Sequence, residues 1–329
     1  MKYRKLGKTG YSASEVGFGA WAIGADWGKI DDQASLKALH GAAEKGINFF
    51  DTADVYGDGH SEKLIAKFIS ERKGKSKIYI ATKAGRRLSP HIASGYTGKN
   101  IEKFIDRSLK NLKAESLDLL QLHCPPNDVF YNPELFDYLE FLKKKGKIRH
   151  YGVSVEKVEQ AIKAMEYPGL ATVQIIFNIF RQRPKELFFS LAKKNNVGVI
   201  VRVPLASGLL TGKYGMNSKF EKSDHRNFNR AGKAFDVGET FAGVDFETGV
   251  KAVRKLEKIK PKSLTMSEFA LRFILDHPEV SVTIPGGKTP EQVQGNARAS
   301  EMKLLSKKTH KEIGEVYTSY IKPQVHNRW

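Results

Sequence analysis

The chain alternates short apolar runs with longer segments whose apolar residues recur every three or four positions. Eight runs are rich in β-branched and aromatic residues, and each has the length of a buried strand. The amphipathic stretches between them carry helix signals, so the pattern predicts a repeated strand–helix unit. The predicted strands are VGFG from Val16, INFF from Ile47, IYIAT from Ile78, LDLLQLH from Leu117, YGVSV from Tyr151, TVQIIFN from Thr172, VGVIVRV from Val197 and VSVTIP from Val280.

Strict alternation of strand and helix favours parallel pairing with right-handed crossovers, and eight units favour closure into a barrel over an open sheet. We therefore expect an α/β fold in which residues 1–329 form one (β/α)8 TIM barrel. Among the predicted helices are Asp31–Glu44, Ser61–Glu71, Lys99–Leu112, Asn132–Lys145, Glu156–Met165 and Pro184–Asn195.

Two segments depart from the alternation. The opening MKYRKLGKTGYSASEV has a Lys-Thr-Gly turn and predicts a β-hairpin that caps the bottom of the barrel. Residues Thr211–Gly243, after strand seven, are charged and dotted with glycine. A structureless loop of this length in a compact domain is usually a functional lid or a disordered insert, and we expect one of the two here.

Composition limits the class of protein. A chain of 329 residues with 40% hydrophobic and 28% charged residues is typical of a globular enzyme. The single cysteine, Cys124, cannot form an internal disulfide, no apolar stretch follows the basic amino terminus, and no run reaches the 18 apolar residues of a membrane span. We expect a cytoplasmic protein without membrane insertion.

The net charge of +19 raises the question of a nucleic-acid partner. The basic residues are scattered, however, and the cluster at Lys143–Lys147 lies at the end of a predicted helix without interleaved aromatic residues. The sequence therefore argues against nucleic-acid binding, and an anionic ligand explains the charge as well. Neither charge nor pattern specifies an oligomeric state.

Four polar residues follow successive predicted strands. Asp51 comes directly after INFF, Tyr56 lies in the next loop, Lys83 ends IYIATK and His123 ends LLQLH. In a barrel of this kind the carboxyl ends of neighbouring strands open on one face, which we call the mouth, so these side chains are expected to meet there. Each alone has an ordinary structural interpretation, as a cap, a surface ring or a satisfied polar residue.

Together the four residues suit acid–base chemistry. A phenol has an ordinary pKa of about 10, and a nearby ammonium lowers it, so Lys83 is expected to act on Tyr56 in this way. Asp51 would hold Lys83 charged, and His123 would hydrogen-bond a carbonyl oxygen. No nucleophilic triad is evident and no metal-ligand spacing occurs, which suggests that a cofactor brings a hydride.

Several motifs resemble the aldo-keto reductase family. They are DTADVYG from Asp51, Lys83, QLHCP from Gln121, GVS from Gly152, VQ at Val173, PLASGLLTGKY from Pro204 and IPGGKTPEQVQGN from Ile284. The resemblance spans nearly the whole chain and implies a catalytic tetrad of Asp51, Tyr56, Lys83 and His123. Tyr56 would be the general acid in reduction and the general base in oxidation.

The resemblance also implies a nicotinamide cofactor site. The segment after strand one would line the pocket near the nicotinamide ribose, one residue in each of strands five and six would hold the carboxamide, and the loop after strand seven would wrap the pyrophosphate. The segment Gly286–Asn296 would take the adenosine end. The implied residues are Gly19, Ala20, Trp21, Ser154, Gln174, Arg202, Pro204, Leu205, Ser207, Gly208, Leu209, Gly286, Gly287, Lys288, Thr289, Gln292 and Asn296.

Three positions depart from the family pattern. Val155 stands where many members have Asn, and Arg202 where many stack an aromatic ring on the nicotinamide. Gln292 replaces an Arg that grips the 2′-phosphate in several NADP-dependent members. Lys288 and the positive charge still favour NADPH, with NADH as the other possibility.

The substrate expected from this resemblance is a small-molecule aldehyde or ketone. Trp21, Trp27 and Phe130 are expected to rim the mouth, which suits apolar or aromatic carbonyls, although surface packing explains these rings equally well. Two alternatives stay open: a regulatory or redox-sensing nucleotide-binding subunit with little turnover, and a sugar or polyol dehydrogenase. Few residues precede Val16 that could act on a partner, which favours the enzyme over the subunit.

Overall fold

Eight parallel strands form a closed barrel in the computed structural model, which describes residues 1–24, 31–72, 76–222 and 224–329. Neighbouring strands pair in chain order, and the first joins the last through Gly17 N to Thr283 O (2.8 Å) and Gly19 N to Pro285 O (3.0 Å). The hairpin strands are β1 (Tyr3–Lys5) and β2 (Ser12–Ser14), and the barrel strands are β3 (Phe18–Gly19), β4 (Phe49–Asp51), β5 (Tyr79–Ala84), β6 (Leu117–His123), β7 (Ile148–Ser154), β8 (Thr172–Ile176), β9 (Gly198–Arg202) and β10 (Val280–Thr283).

Helices surround the barrel, and several begin at residues whose side chains accept a hydrogen bond from the first turn. Asp31 accepts from Gln33 N and Thr97 from Asn100 N, which satisfies amide groups that a helix start leaves unpaired. The helices are α1 (Asp32–Glu44), α2 (His60–Glu71), α3 (Gly98–Leu112), α4 (Pro133–Lys144), α5 (Val158–Ala164), α6 (Phe188–Lys194), α7 (His225–Phe228), α8 (Phe246–Ile259), α9 (Met266–Leu275), α10 (Pro290–Arg298), α11 (Lys307–Val316) and α12 (Lys322–Val325).

The predicted (β/α)8 architecture is confirmed, with small shifts in element bounds. Strand β7 begins at Ile148, three residues before the predicted Tyr151, and α5 is shorter than the predicted Glu156–Met165. The predicted helix Pro184–Asn195 is divided into a 3₁₀ turn at Arg183–Lys185 and α6. Strand edges depend on pairing partners that local pattern does not contain, so such differences are expected.

Along each strand, successive side chains point alternately into the barrel and outward towards the helices. Phe49 points inward and packs with residues of the other strands such as Leu119 and Ile200, whereas Phe50 packs outward against the helices. Leu6 and Ala13 of the hairpin belong to the inner cluster. The interior is therefore filled by side chains and sealed at one end.

The hairpin closes the bottom of the barrel, as predicted. Arg4 donates to the backbone oxygens of Leu275 (2.6 Å), Val280 (2.8 Å) and His277 (3.0 Å), just before β10, and forms a 2.6 Å ion pair with the buried Glu15. These contacts tie the hairpin to the end of the barrel opposite the mouth.

Within its described residues, the segment Thr211–Gly243 has defined secondary structure and is not a structureless loop. It contains α7 and two 3₁₀ turns, Val237–Glu239 and Phe241–Gly243. The C-terminal residues pack against it, and Trp329 is buried. Local pattern missed this order because the short turns are stabilised by contacts distant in sequence. Within the residues described, no helix combines the length and apolar character needed to cross a membrane.

Gly7 tests how tightly the hairpin seals the barrel. Its φ is +50°, and an added Cβ would lie 2.2 Å from Gly198 N and 2.6 Å from Ala171 O. Gly7→Ala should therefore lower the free energy of unfolding by roughly 2–4 kcal/mol, measured by urea denaturation. The matched variant Gly10→Ala has a φ of +73° but open space at the Cβ position, and should cost only about 1 kcal/mol. Equal losses from both substitutions would contradict the close packing.

Candidate active site

Asp51, Tyr56, Lys83 and His123 lie together at the mouth of the barrel. Asp51 ends β4, Lys83 is in β5, His123 ends β6, and Tyr56 lies in the turn after β4. Lys83 Nζ donates to Asp51 Oδ1 at 2.5 Å, to Thr52 O at 2.8 Å and to the Tyr56 hydroxyl at 3.1 Å. The three neighbouring strands thus place an ammonium between a carboxylate and a phenol.

Two amides fix the other oxygen of the Asp51 carboxylate. Gln174 Nε2 donates to Asp51 Oδ2 at 2.7 Å and Gln121 Nε2 at 3.0 Å, and the Gln174 amide also bonds Gln121 Oε1. Sequence analysis missed Gln121. Gln121 lies two residues before His123 in β6, so strand alternation places both side chains on the inner face. That spacing could have identified Gln121 as a site residue from the sequence.

The charge of Lys83 is maintained by its neighbours. Burial disfavours the ammonium and is the largest single effect, but Asp51 and Tyr56 together outweigh it and raise the pKa of Lys83 above its ordinary value. For Tyr56 the balance differs: burial raises the pKa of the phenol above its ordinary value, although Lys83 acts to lower it. The expected influence of Lys83 is present, yet burial dominates and Tyr56 stays protonated at neutral pH.

His123 is a neutral imidazole. Burial, followed by the positive charges of Arg86 and Lys83, holds the pKa of His123 well below its ordinary value. Its ring meets the Tyr56 ring edge-on, with centroids 5.9 Å apart. Nδ1 is buried and has no hydrogen-bond partner among the described residues. A neutral imidazole beside a phenol can offer one N–H to an oxygen atom at the mouth.

A second charged group lies beside the tetrad. Glu239 Oε1 accepts from Arg86 Nη1 at 2.9 Å and lies 3.5 Å from Arg202 Nη1, while Arg202 Nη2 donates to Val155 O at 3.0 Å. Burial would raise the pKa of Glu239, but Arg86 and Arg202 outweigh it and lower the pKa. Sequence analysis missed Arg86 and Glu239, and for Glu239 no local signal was available because the long segment brings it in.

Three possible metal ligands also meet here. The ligand atoms of Cys124, Glu156 and Glu239 lie within 4.8 Å of one another, a grouping that sequence spacing did not show. The guanidinium groups of Arg86 and Arg202 already supply positive charge to it. Burial raises the pKa of the Cys124 thiol, and burial followed by the charge of Asp236 raises the pKa of Glu156 to about 7. Glu239 is the member of the group that pairs with the two arginines.

Trp21 is the predicted rim residue that the structure places beside the tetrad. Its ring is stacked near that of Tyr56, with centroids 6.1 Å apart, and lies 4.8 Å from His225 and 6.0 Å from Phe235 of the long segment. Phe130, by contrast, is 1% exposed and packs in the hydrophobic core. Trp27 lies outside the described residues.

The backbone after β9 turns repeatedly through left-handed conformations. Ala206, Ser207 and Gly208 have φ values of +48°, +52° and +95° in succession. The N–H groups of Ala206 and Gly208 donate within the turn, to Val203 O at 3.1 Å and Leu205 O at 2.9 Å, so the turn is a compact, internally bonded loop. Pro204, Leu205 and Leu209 flank these residues, and Ser207 Oγ donates to Glu239 O at 2.9 Å, which joins this turn to the long segment.

The segment after β10 is closed by its own side chains. Lys288 N donates to Gln292 Oε1 at 2.8 Å, Asn296 Nδ2 donates to Gly286 O at 3.1 Å, and Thr289 caps α10. Gly287 lies within this turn. Burial and then the charge of Arg226 lower the pKa of Lys288. The long segment therefore brings a second cation, Arg226, towards Lys288, which sequence analysis missed.

The chain is similar to known proteins of one family over nearly its whole length. The model of the aldo/keto reductase family matches residues 15–318. Aldo-keto reductase YhdN of Bacillus subtilis is 30% identical over 329 residues, which cover 99% of this chain and 96% of the relative. Aldo-keto reductase yakc of Schizosaccharomyces pombe, whose name specifies NADP(+), is 28% identical over 95% of this chain and 90% of the relative. A glycerol dehydrogenase structure from Gluconobacter oxydans has a TM-score of 0.79 and 29% identity, covering 100% and 97% of the two chains.

Asp54 is a buried acid within the DTADVYG motif. It is 0% exposed, and among the described residues neither carboxylate oxygen has a hydrogen-bond partner. Burial and then the charge of Glu62 raise the pKa of Asp54 to about 7, against the opposing effect of Arg87 and Arg107. At a pH between the pKa of Asp54 in the unfolded chain and its higher pKa in the folded protein, the folded state holds a proton that the unfolded state releases. The free energy of unfolding therefore falls as the pH rises through this range.

Asp54→Asn should remove this pH dependence because an amide does not titrate. Relative to the wild type, we expect the variant to gain about 1–3 kcal/mol of unfolding free energy at pH 8 and little at pH 4. Urea unfolding at both pH values measures the difference, with the exposed Asp128→Asn as control. Parallel pH profiles for wild type and Asp54→Asn would show that Asp54 is ionised normally.

Proposed function

The chain belongs to the aldo/keto reductase family, and from this premise we propose that it reduces an aldehyde or ketone to an alcohol with NADPH, Tyr56 donating the proton. The observation that carries the proposal is the 3.1 Å contact between Lys83 Nζ and the Tyr56 hydroxyl, within a group that also holds Asp51 and His123. This arrangement provides a proton and a means of stabilising the charge left behind.

Tyr56 gives its proton to the substrate oxygen as negative charge develops there. The raised pKa of Tyr56 keeps the proton on the phenol until it is needed. As the phenolate forms, the ammonium of Lys83 stabilises it, and this interaction is stronger in the transition state than in the ground state. Asp51 keeps the ammonium charged and correctly oriented.

His123 positions the carbonyl. Because its pKa is well below the ordinary value, the imidazole is neutral at pH 7 and does not compete with Tyr56 as an acid. Its N–H can donate to the carbonyl oxygen and hold that oxygen near the Tyr56 hydroxyl. Trp21 is the proposed ring that contacts the substrate, since it lies beside Tyr56 at the mouth.

The mouth suits a dinucleotide on three grounds. The compact turn at Ala206–Gly208, directly after β9, is the segment that the family resemblance assigns to the pyrophosphate, Ser154 and Gln174 offer polar groups for a carboxamide, and Lys288 suits a phosphate. When bound, the nicotinamide would supply the hydride to the carbonyl carbon. Among the described residues Arg202 Nε is buried without a hydrogen-bond partner, and its planar guanidinium can stack on a ring. The residues proposed to hold the dinucleotide are Gly19, Ala20, Trp21, Ser154, Gln174, Arg202, Pro204, Leu205, Ser207, Gly208, Leu209, Gly286, Gly287, Lys288, Thr289, Gln292 and Asn296.

Oxidation of a polyol is the second candidate function. It is favoured by the similarity to a glycerol dehydrogenase at 29% identity. The same residues would serve, with the Tyr56 phenolate accepting the alcohol proton, because acid–base catalysis works in both directions. Rates measured with glycerol and NADP⁺, and with glyceraldehyde and NADPH, would compare the two directions.

Tyr56→Phe tests the proton donor. Since the ring is retained and only the hydroxyl is lost, kcat/KM for carbonyl reduction should fall by about 10²–10⁴, while the Kd for NADPH stays within about twofold. Steady-state kinetics with a panel of aldehydes and ketones, together with fluorescence titration, provides the measurement. The exposed Tyr131→Phe is the matched control. Wild-type turnover by Tyr56→Phe would remove Tyr56 from the mechanism.

NADPH should bind more tightly than NADH. The 2′-phosphate would meet Lys288, which lies near the ion pair of Arg226 with Asp224, so we expect a difference in Kd of about tenfold. Lys288→Ala should reduce the difference, whereas Lys311→Ala, which removes an exposed charge elsewhere, should not. Fluorescence titration with both nucleotides measures these constants, and tighter binding of NADH to the wild type would reverse the assigned preference.

A further inference from the structure

The C-terminal residues are fixed against the mouth face of the barrel. Helix α12 is followed by His326, whose Nδ1 is 2.8 Å from the Tyr317 hydroxyl and whose Nε2 is 3.1 Å from Glu186 Oε1. Arg183 Nη1 donates to Trp329 O at 2.9 Å. Residues 322–329 are thus tied to the segment that follows β8, and the Trp329 side chain is only 4% exposed.

The Trp329 indole fills a space within segment 236–243. Its Nε1 donates to Asp236 Oδ1 at 2.9 Å, and the guanidinium of Arg181 lies 4.0 Å from the centroid of its ring. A Cβ added at Gly243 would lie 2.5 Å from the indole, and one at Gly238 2.9 Å from it. The two glycines therefore leave room for this ring. We call the contact of Trp329 with segment 236–243 the clasp.

The clasp is continuous with the charged group at the mouth. Asp236 Oδ1 also accepts from Gly238 N at 2.7 Å, which begins the turn Val237–Glu239. At the end of this turn, Glu239 contacts Arg86 and Arg202, and its backbone oxygen accepts from Ser207. Only Val237 and Gly238 therefore separate Asp236, which the indole contacts, from Glu239, the counter-ion of the two arginines.

We propose that Trp329 is a positioning residue that, through Asp236, holds Glu239 between Arg86 and Arg202 and thereby sets the cofactor pocket. The inference rests on the proposed function because Arg202 and Ser207 are among the proposed cofactor contacts. Loss of the clasp frees the turn Val237–Glu239, leaves the buried Arg202 and the partly buried Arg86 with a poorly placed carboxylate and weakens nucleotide binding. Trp329 packs on segment 236–243 and on Arg181 and is not a member of the tetrad.

Trp329→Phe removes the hydrogen bond from the indole Nε1 to Asp236 but keeps an aromatic ring in the same place. We expect the Kd for NADPH to rise between about threefold and tenfold, while kcat at saturating NADPH stays within about twofold. Trypsin should cut faster after Arg230 and Lys233, which are exposed residues of the long segment, and mass spectrometry identifies the cleavage sites. A general loss of stability would instead increase cleavage throughout the chain.

Two further variants keep the test specific. Asp236→Asn retains an oxygen for the indole and should bind NADPH nearly as the wild type does, whereas Asp236→Ala should match or exceed the effect of Trp329→Phe. Tyr320→Phe removes a hydroxyl from another partly buried ring of the C-terminal region and serves as the control.

The outcomes distinguish this inference from the proposed function. If Trp329→Phe changes neither the Kd for NADPH nor the rate of cleavage, Trp329 does not hold segment 236–243 in place. If cleavage is faster but the Kd is unchanged, the clasp holds the segment but does not set the cofactor pocket. If the wild type binds neither NADPH nor NADH, the proposed function fails. The cleavage rates would then still report whether Trp329 holds segment 236–243.

Discussion

The buried ion pair between Lys83 and Asp51 is the interaction on which the rest of the site depends. An ammonium that is 1% exposed is costly to hold in a protein unless a carboxylate and further acceptors surround it. Strand register supplies them, because β4, β5 and β6 end together at the mouth and bring Gln121 alongside Lys83. Removing one partner of such a pair typically lowers the free energy of unfolding by roughly 3–5 kcal/mol. The contacts that position the charged groups of the site therefore also stabilise the barrel.

The long segment after β9 completes the mouth from outside the barrel. It brings Glu239 to Arg86 and Arg202, Phe235 and His225 to Trp21, and a second cation towards Lys288. The strands alone would leave the two arginines without their carboxylate. The C-terminal residues in turn support this segment, so the pocket is shaped by two parts of the chain far from the tetrad in sequence.

The protonation states of the groups at the mouth depend on burial as much as on neighbouring charges. Burial keeps the proton on Tyr56 and keeps His123 neutral, while the charge of Lys83 acts to lower the pKa of Tyr56. Such a set of groups works in either direction, which agrees with the presence of both a reductase and a glycerol dehydrogenase among similar proteins.

The sequence by itself determined the eight strand–helix units, the hairpin cap and the strand-end positions of Asp51, Lys83 and His123, because strand and helix periodicity are local properties. The order within Thr211–Gly243, the burial of Phe130, the roles of Gln121 and Glu239 and the path of Trp329 were decided only by tertiary structure. Each depends on contacts between residues far apart in the chain, and so does the burial that outweighs the effect of Lys83 on the pKa of Tyr56. Local pattern carries no information on which distant groups will meet, or on how much water they will exclude.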